Sequence, residues 1–217
     1  MYKRQVYAYG ERTVIRDNDI TGSSSGVVID EGRTVVTGNT IAGGRYGVIA
    51  LAYDVATGHS SGELRNNTIA GTLTAAIATF DQAVADVFQP LLVVKRNTIA
   101  GNLGDGIQAN AGEVLAQRNI ITLNNVGVRV TGTGVIDLGD RRRHGSATTT
   151  LGRSKGNNQI FGNTSAGVAN ETPDLLYAQN NYWGTANGPG GMFIGDGDLV
   201  TGNVSVAPFQ RAPGQQT

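Results

Sequence analysis

Seven segments of this chain repeat one pattern: an asparagine followed two residues later by a large apolar side chain. They are Asn18 with Ile20, Asn39 with Ile41, Asn67 with Ile69, Asn97 with Ile99, Asn119 with Ile121, Asn158 with Ile160, and Asn181 with Trp183. Three copies share Asn-Thr-Ile-Ala-Gly, at 39–43, 67–71 and 97–101. A second element follows six of the asparagines at a fixed offset of 9 or 10 residues. It is a small residue before Val or Ile: Gly26-Val27, Gly47-Val48, Ala76-Ile77, Gly106-Ile107, Gly127-Val128 and Gly167-Val168. A third apolar position lies four residues before the Asn, at Val14, Val35, Val93, Leu115 and Tyr177; Glu63 and Ser154 break it, with Leu64 as a one-residue slip.

Internal repetition of this length is the signature of a solenoid, because one unit cannot bury its apolar face alone and stacked units can. The asparagines are separated by 21, 28, 30, 22, 39 and 23 residues. The shortest spacing sets the unit, and the longer ones carry insertions near 51–62, 79–91 and 131–153 that should leave the stack as loops. Each unit has three short apolar pieces, so the expected fold is all-β: a single-stranded parallel β-helix of about seven coils, rising about 4.8 Å per coil. Each repeat Ile should stack on the next. Alternation places Val128 and Val130 inward with Arg129 outward, and Ile107 and Ala109 inward with Gln108 outward. The repeat Asn should itself take the left-handed backbone of a tight turn and ladder its amide onto the Asn of the neighbouring coil. These positions are therefore structural and not ligand-binding.

Composition agrees. Glycine reaches 32 of 217 residues with only five prolines, which suits many turns and no collagen period. Formal net charge is zero, giving no general attraction to nucleic acid or anionic membrane. There is no cysteine, so no disulfide or thiolate site, and no apolar run reaches a membrane span. Residues 1–5, Met-Tyr-Lys-Arg-Gln, read like a translated library adaptor. They are expected to be a non-native leader to a fragment truncated at its N-terminus, with the β-helix domain at 6–210 and a flexible tail at 211–217.

The repeat, Asn-Thr-Ile-Ala-Gly followed by Gly-(Ile/Val), resembles the right-handed parallel β-helices of the pectin-lyase-like superfamily. The resemblance covers about residues 12–210. It is sharpest in Ala178-Gln179-Asn180-Asn181-Tyr182-Trp183-Gly184, Asn187-Gly188-Pro189-Gly190 and Val204-Ser205-Val206-Ala207-Pro208-Phe209, which look like the closing coil of secreted bacterial members. Asp137-Leu138-Gly139, leading to Gly156-Asn157-Asn158, resembles a further segment of such proteins. The resemblance implies export, an extracellular or cell-surface location and a place in a longer multidomain chain. Superfamily members include polysaccharide lyases, hydrolases, epimerases and adhesins, so fold alone assigns no activity.

Candidate chemistry is sparse. No catalytic set is visible and no cofactor is expected. Asp17 and Asp19 flank Asn18 and offer oxygen ligands to calcium, the one cofactor kept as a minor alternative. Gly195-Asp196-Gly197-Asp198 looks like half a calcium loop and reads better as a turn. His59 and His144 sit in insertions and are too few for a metal trio. Arg65, Arg96 and Arg118 recur just before the repeat Asn, beside Lys95 and Gln117, as solvated turn charges or a weak basic stripe. Arg141-Arg142-Arg143 reads as a solvated loop. Trp183 should close the apolar column where no further coil covers it, with sugar stacking as the minor alternative. Residues 80–88 have spacing that suits a short helix over the side of the stack. The reading is a secreted or surface scaffold, adhesive or glycan-contacting. The alternative is a carbohydrate-active enzyme with its site on an outer face, in a loop or in a missing N-terminal part.

Overall fold

The computed structural model describes residues 5–10, 12–22, 24–52, 60–81, 89–139 and 152–214. Its strands form three all-parallel sheets that run the length of a right-handed β-helix. The first sheet begins with Val6–Ala8, Ser25–Ile29 and Tyr46–Ala52; the second with Arg12–Arg16, Arg33–Thr37 and Ser61–Arg65; the third with Asp19–Thr21, Thr40–Ala42 and Thr68–Ala70. Each coil visits the sheets in that order. No described helix is long and apolar enough to cross a membrane.

The repeat Ile residues pair in one column of the third sheet, Ile20–Ile41–Ile69–Ile99–Ile121–Ile160. All are buried. The Val/Ile after the small residue makes a second buried column through Val27, Val48, Ile77, Ile107, Val128 and Val168. The small residue has a steric cause. A Cβ at Gly47 would lie 2.5 Å from the Ile69 methyl and 2.6 Å from the Ala76 carbonyl; at Gly127 it would lie 2.6 Å from the Gly167 carbonyl. The corner between the third and first sheets thus lets two coils approach only where side chains are minimal.

The second sheet corrects the inferred register. The inward residues lie three before the Asn: Ile15, Val36, Leu64, Val94, Ala116 and Ala178 are all buried. Leu64 is in register with Val36 and Val94, so no slip occurs. The column four before the Asn, including Val14, Glu63 and Val93, points outward because side chains alternate along a strand. The third insertion is shorter than expected. Val135–Gly139 fills the second sheet opposite Glu113–Gln117, and the extra chain enters between it and the Asn turn.

The turn chemistry also differs from expectation. The left-handed residue is the one before the ladder Asn: Asp17, Gly38, Asn66, Arg96, Arg118, Asn157 and Asn180, with φ from 54° to 68°. The Asn that follows turns its amide inside the corner. Asn18, Asn39, Asn67, Asn97 and Asn119 each donate N–H and Nδ2–H to the Oδ1 of the next Asn, and Asn158 does the same to Asn181. Nδ2 also donates backwards, from Asn67 to Val36 O, Asn97 to Leu64 O and Asn119 to Val94 O, each at 2.9 Å. One side chain therefore stitches three coils. Asn18, at the start, is exposed; the other six are buried.

Trp183 occupies the column position above Ile160 and is 0% exposed. It does not end the stack. Gly197–Thr201, Val204–Ser205 and the bridge at Gln210 form an abbreviated eighth rung that lays Val200, Val204, Val206 and Phe209 over the core. Pro189–Gly191 then pairs with Gly197–Thr201 and covers the last edge of the first sheet. Sugar stacking on Trp183 is excluded by this burial.

Candidate functional site

A second polar ladder, not anticipated from the sequence, runs up the corner between the third and first sheets. Thr72 donates to Asn102 Oδ1, Asn102 to Asn124 Oδ1 and Asn124 to Asn163 Oδ1. Asn163 donates its N–H and Nδ2–H to Asp198 Oδ2, while Gly162 N–H reaches Asp198 Oδ1 at 2.7 Å. A carboxylate suits this end, because only donors converge there. The signal was present in the sequence as a second Asn five residues after Asn97, Asn119 and Asn158. The same corner uses left-handed residues, Gly71, Gly101 and Gly162, but places Leu123 there at φ 56°.

Asp198, expected in a turn, closes this ladder. Asp196 instead accepts Asn187 Nδ2–H and returns its own N–H to Asn187 Oδ1. Beside them lies an open cleft of about 380 Å³ lined by Phe161, Trp183, Thr185, Asp196, Asp198 and Leu199. Its Asp198 carboxylate is already bonded to three N–H groups.

Among the described residues, ion pairing neutralises charge at one place, on the outer face of the first sheet. Arg129 Nε donates to Asp105 Oδ2 at 2.7 Å, and its other arm bonds Glu171. Burial raises the Asp105 carboxyl above the ordinary range, and the Arg129 hydrogen bond and charge pull it back; Glu171 pushes it up slightly. The bond to Asp105 raises Arg129, holding the guanidinium charged. Asp137, also buried, accepts from Gly139 and Ser154 N–H.

The cations ahead of the repeat Asn do align. Arg65 and Lys95 are register partners on the outward side of the second sheet. Arg96 and Arg118 occupy the left-handed position of successive coils, where Arg96 N–H donates to Gln117 O and Arg118 N–H to Gly156 O. Arg16 continues the line downward, through Thr37 to Arg65. Arg65, Arg96 and Arg118 are exposed and Lys95 half-buried. Among the described residues both ion pairs belong to Arg129, so these four have none.

The remaining candidates do not assemble. Asp17 and Asp19 are exposed in the first coil. No group of three or more His, Cys, Asp or Glu is placed to hold a metal among the described residues. His59, His144 and Arg141-Arg142-Arg143 lie outside those residues. So does most of the segment expected to be helical; its first residues, Phe80 and Asp81, end the strand Ala75–Asp81, with Phe80 edge-on to Tyr46 at 5.4 Å.

A family model described as "Right handed beta helix region" matches residues 2–140. No curated protein and no solved structure gives a match to the chain.

Proposed function

The chain belongs to the right-handed β-helix family, and on that footing we propose that it is a secreted or cell-surface scaffold module that contacts glycans without cleaving them. One observation carries this reading: the carboxylates drawn into the fold are committed to holding it. Asp198 ends an Asn ladder, Asp137 ties the strand before the third insertion, and Asp105 is paired with Arg129. Glycoside hydrolysis needs two carboxyl groups free to exchange protons or attack, about 5–10 Å apart across a substrate. Groups that already accept two or three N–H bonds are held in place, which suits a rod and not a carboxyl that must move a proton or attack.

The geometry also favours rigid display. Two continuous amide ladders and stacked apolar columns fix each coil on the next, so loops and outward side chains keep constant spacing along the axis. The test is to incubate the purified chain with a panel of acidic and neutral polysaccharides and to follow both retention and new chain ends. Retention without turnover is expected. Turnover that a single substitution on one outer face abolishes would overturn the scaffold reading in favour of a carbohydrate-active enzyme.

A further inference from the structure

We propose that the corner between the second and third sheets binds a linear anionic glycan lying along the rod axis, held by Arg65, Lys95, Arg96 and Arg118. This deepens the scaffold reading and rests on it. Parallel pairing places Arg65 beside Lys95, and Arg96 below Arg118, at a strand spacing of about 4.8 Å. Like charges directly opposite one another destabilise a sheet. Acidic residues elsewhere in this fold quench such charge, as Asp105 and Glu171 do for Arg129. On the ridge they do not. Glu63, two residues from Arg65 on the same strand, makes no ion pair with it.

The backbone adds an independent sign. Arg96 and Arg118 stand at φ 55° and 58°, a conformation that Gly38, Asn66, Asn157 and Asn180 take at the same corner with less strain. Two successive coils thus accept both crowding of charge and an unfavourable backbone, which folding alone would select against. An external polyanion offsets both.

The chemistry selects the partner. Guanidinium forks match carboxylate and sulfate groups in two-point fashion, and repetition per coil matches a chain carrying one anion per unit. Next to the ridge, the outward residues of the third sheet include Thr68 and Thr98, which offer hydroxyls to sugar hydroxyls. Single-stranded nucleic acid is bound by aromatic platforms as well as cations. Residues 65–68, 95–98 and 117–120 contain no aromatic side chain.

The experiment measures binding of the whole chain to immobilised polygalacturonate, dextran sulfate, neutral dextran and single-stranded poly(dT). Wild type should bind at least one anionic glycan and not neutral dextran; which of the two it prefers distinguishes a uronate from a sulfated chain. The double variant Arg96→Asn/Arg118→Asn should weaken binding about tenfold or more. Its unfolding midpoint should hold or rise, since asparagine tolerates this backbone. Arg96→Lys/Arg118→Lys should retain most of the affinity. Unchanged binding in the Asn variant, equal binding to neutral dextran, or tighter binding to poly(dT) would each overturn the proposal. Chain ends are followed in the same samples. Turnover overturns the scaffold reading; absent binding without turnover overturns the ridge alone.

Discussion

Replacing Asn119 by alanine removes one rung from the middle of the first ladder while leaving the apolar columns untouched. The Asn119 side chain is buried and makes four bonds. Its Oδ1 accepts from Asn97 N at 3.0 Å and Asn97 Nδ2 at 3.2 Å; its Nδ2 donates to Val94 O and Asn158 Oδ1, both at 2.9 Å. Asn97 Nδ2 keeps Leu64 O and Lys95 O as acceptors, and Asn158 Oδ1 keeps the Asn119 backbone N–H. The uncompensated loss is the Asn97 N–H, left without its acceptor in a buried corner, plus the donor to Val94 O. A buried unsatisfied donor costs about 1–3 kcal/mol and each lost bond about 0.5–1.5 kcal/mol, so the change should destabilise by about 2–5 kcal/mol. Asn18→Ala is the internal control. That residue is exposed, and Asn39 Oδ1 retains the Asn18 backbone N–H, so less than about 1 kcal/mol is expected. Urea unfolding followed by far-ultraviolet circular dichroism gives both values from the midpoint shift at constant slope. Equal costs at the two positions would refute the claim that the ladder holds the corner.

Three further outcomes follow from the packing. Ile99→Ala removes a wholly buried link in the third-sheet column and should cost about 2–5 kcal/mol in the same assay; Ile99→Asp melting at the wild-type temperature would contradict its core placement. Leu123→Gly should raise stability by about 1 kcal/mol, because leucine there is exposed and carries left-handed strain that glycine in the other coils avoids. Arg129→Ala should cost about 1–3 kcal/mol at pH 7, toward the lower end because the pair is partly exposed. Its cost should shrink toward pH 4. Asp105 titrates above the ordinary 3.8 when folded, so it holds its proton more tightly in the native state. Its contribution is then greatest below 3.8 and is lost as pH rises through the folded value. Without Arg129 that value moves further up. A penalty independent of pH would show that Asp105 is not the group left unpaired.

Much of the fold was legible because a solenoid writes the same constraint many times. The Asn-to-Asn spacings equal the sequence separations of the ladder hydrogen bonds, from 21 between Asn18 and Asn39 to 39 between Asn119 and Asn158. What misled was half a strand period. Val14, Val35 and Val93 look like core residues, yet the inward column is one residue later, and only pairing to neighbouring coils decides which alternate set faces inward. The left-handed residue was misplaced by one for a similar reason: an Asn can serve such a turn either by its backbone or by its side chain, and the sequence does not say which. Trp183 looked terminal because the rung above it, Val200 to Gln210, lacks the repeat Asn that marks the others.

Where side chains depart from the repeat is more informative than where they obey it. Inward positions are dictated by the columns, and the corner asparagines by the ladders, so neither leaves room for a function of its own. Each corner also imposes a left-handed residue in every coil, and Gly or Asn meets that demand at least cost. At one corner the chain instead places Asp17, whose short side chain tolerates this backbone, and then Arg96 and Arg118, and at the other Leu123; the two arginines and the leucine are exposed and on the strained side of φ. A random surface substitution would be neutral; these are not, because they lower the stability of the coil that carries them. Selection for stability alone would return them to Gly or Asn. Exposed residues that the fold disfavours, stacked on successive coils as Arg96 and Arg118 are, are therefore the positions on which the proposed glycan ridge rests.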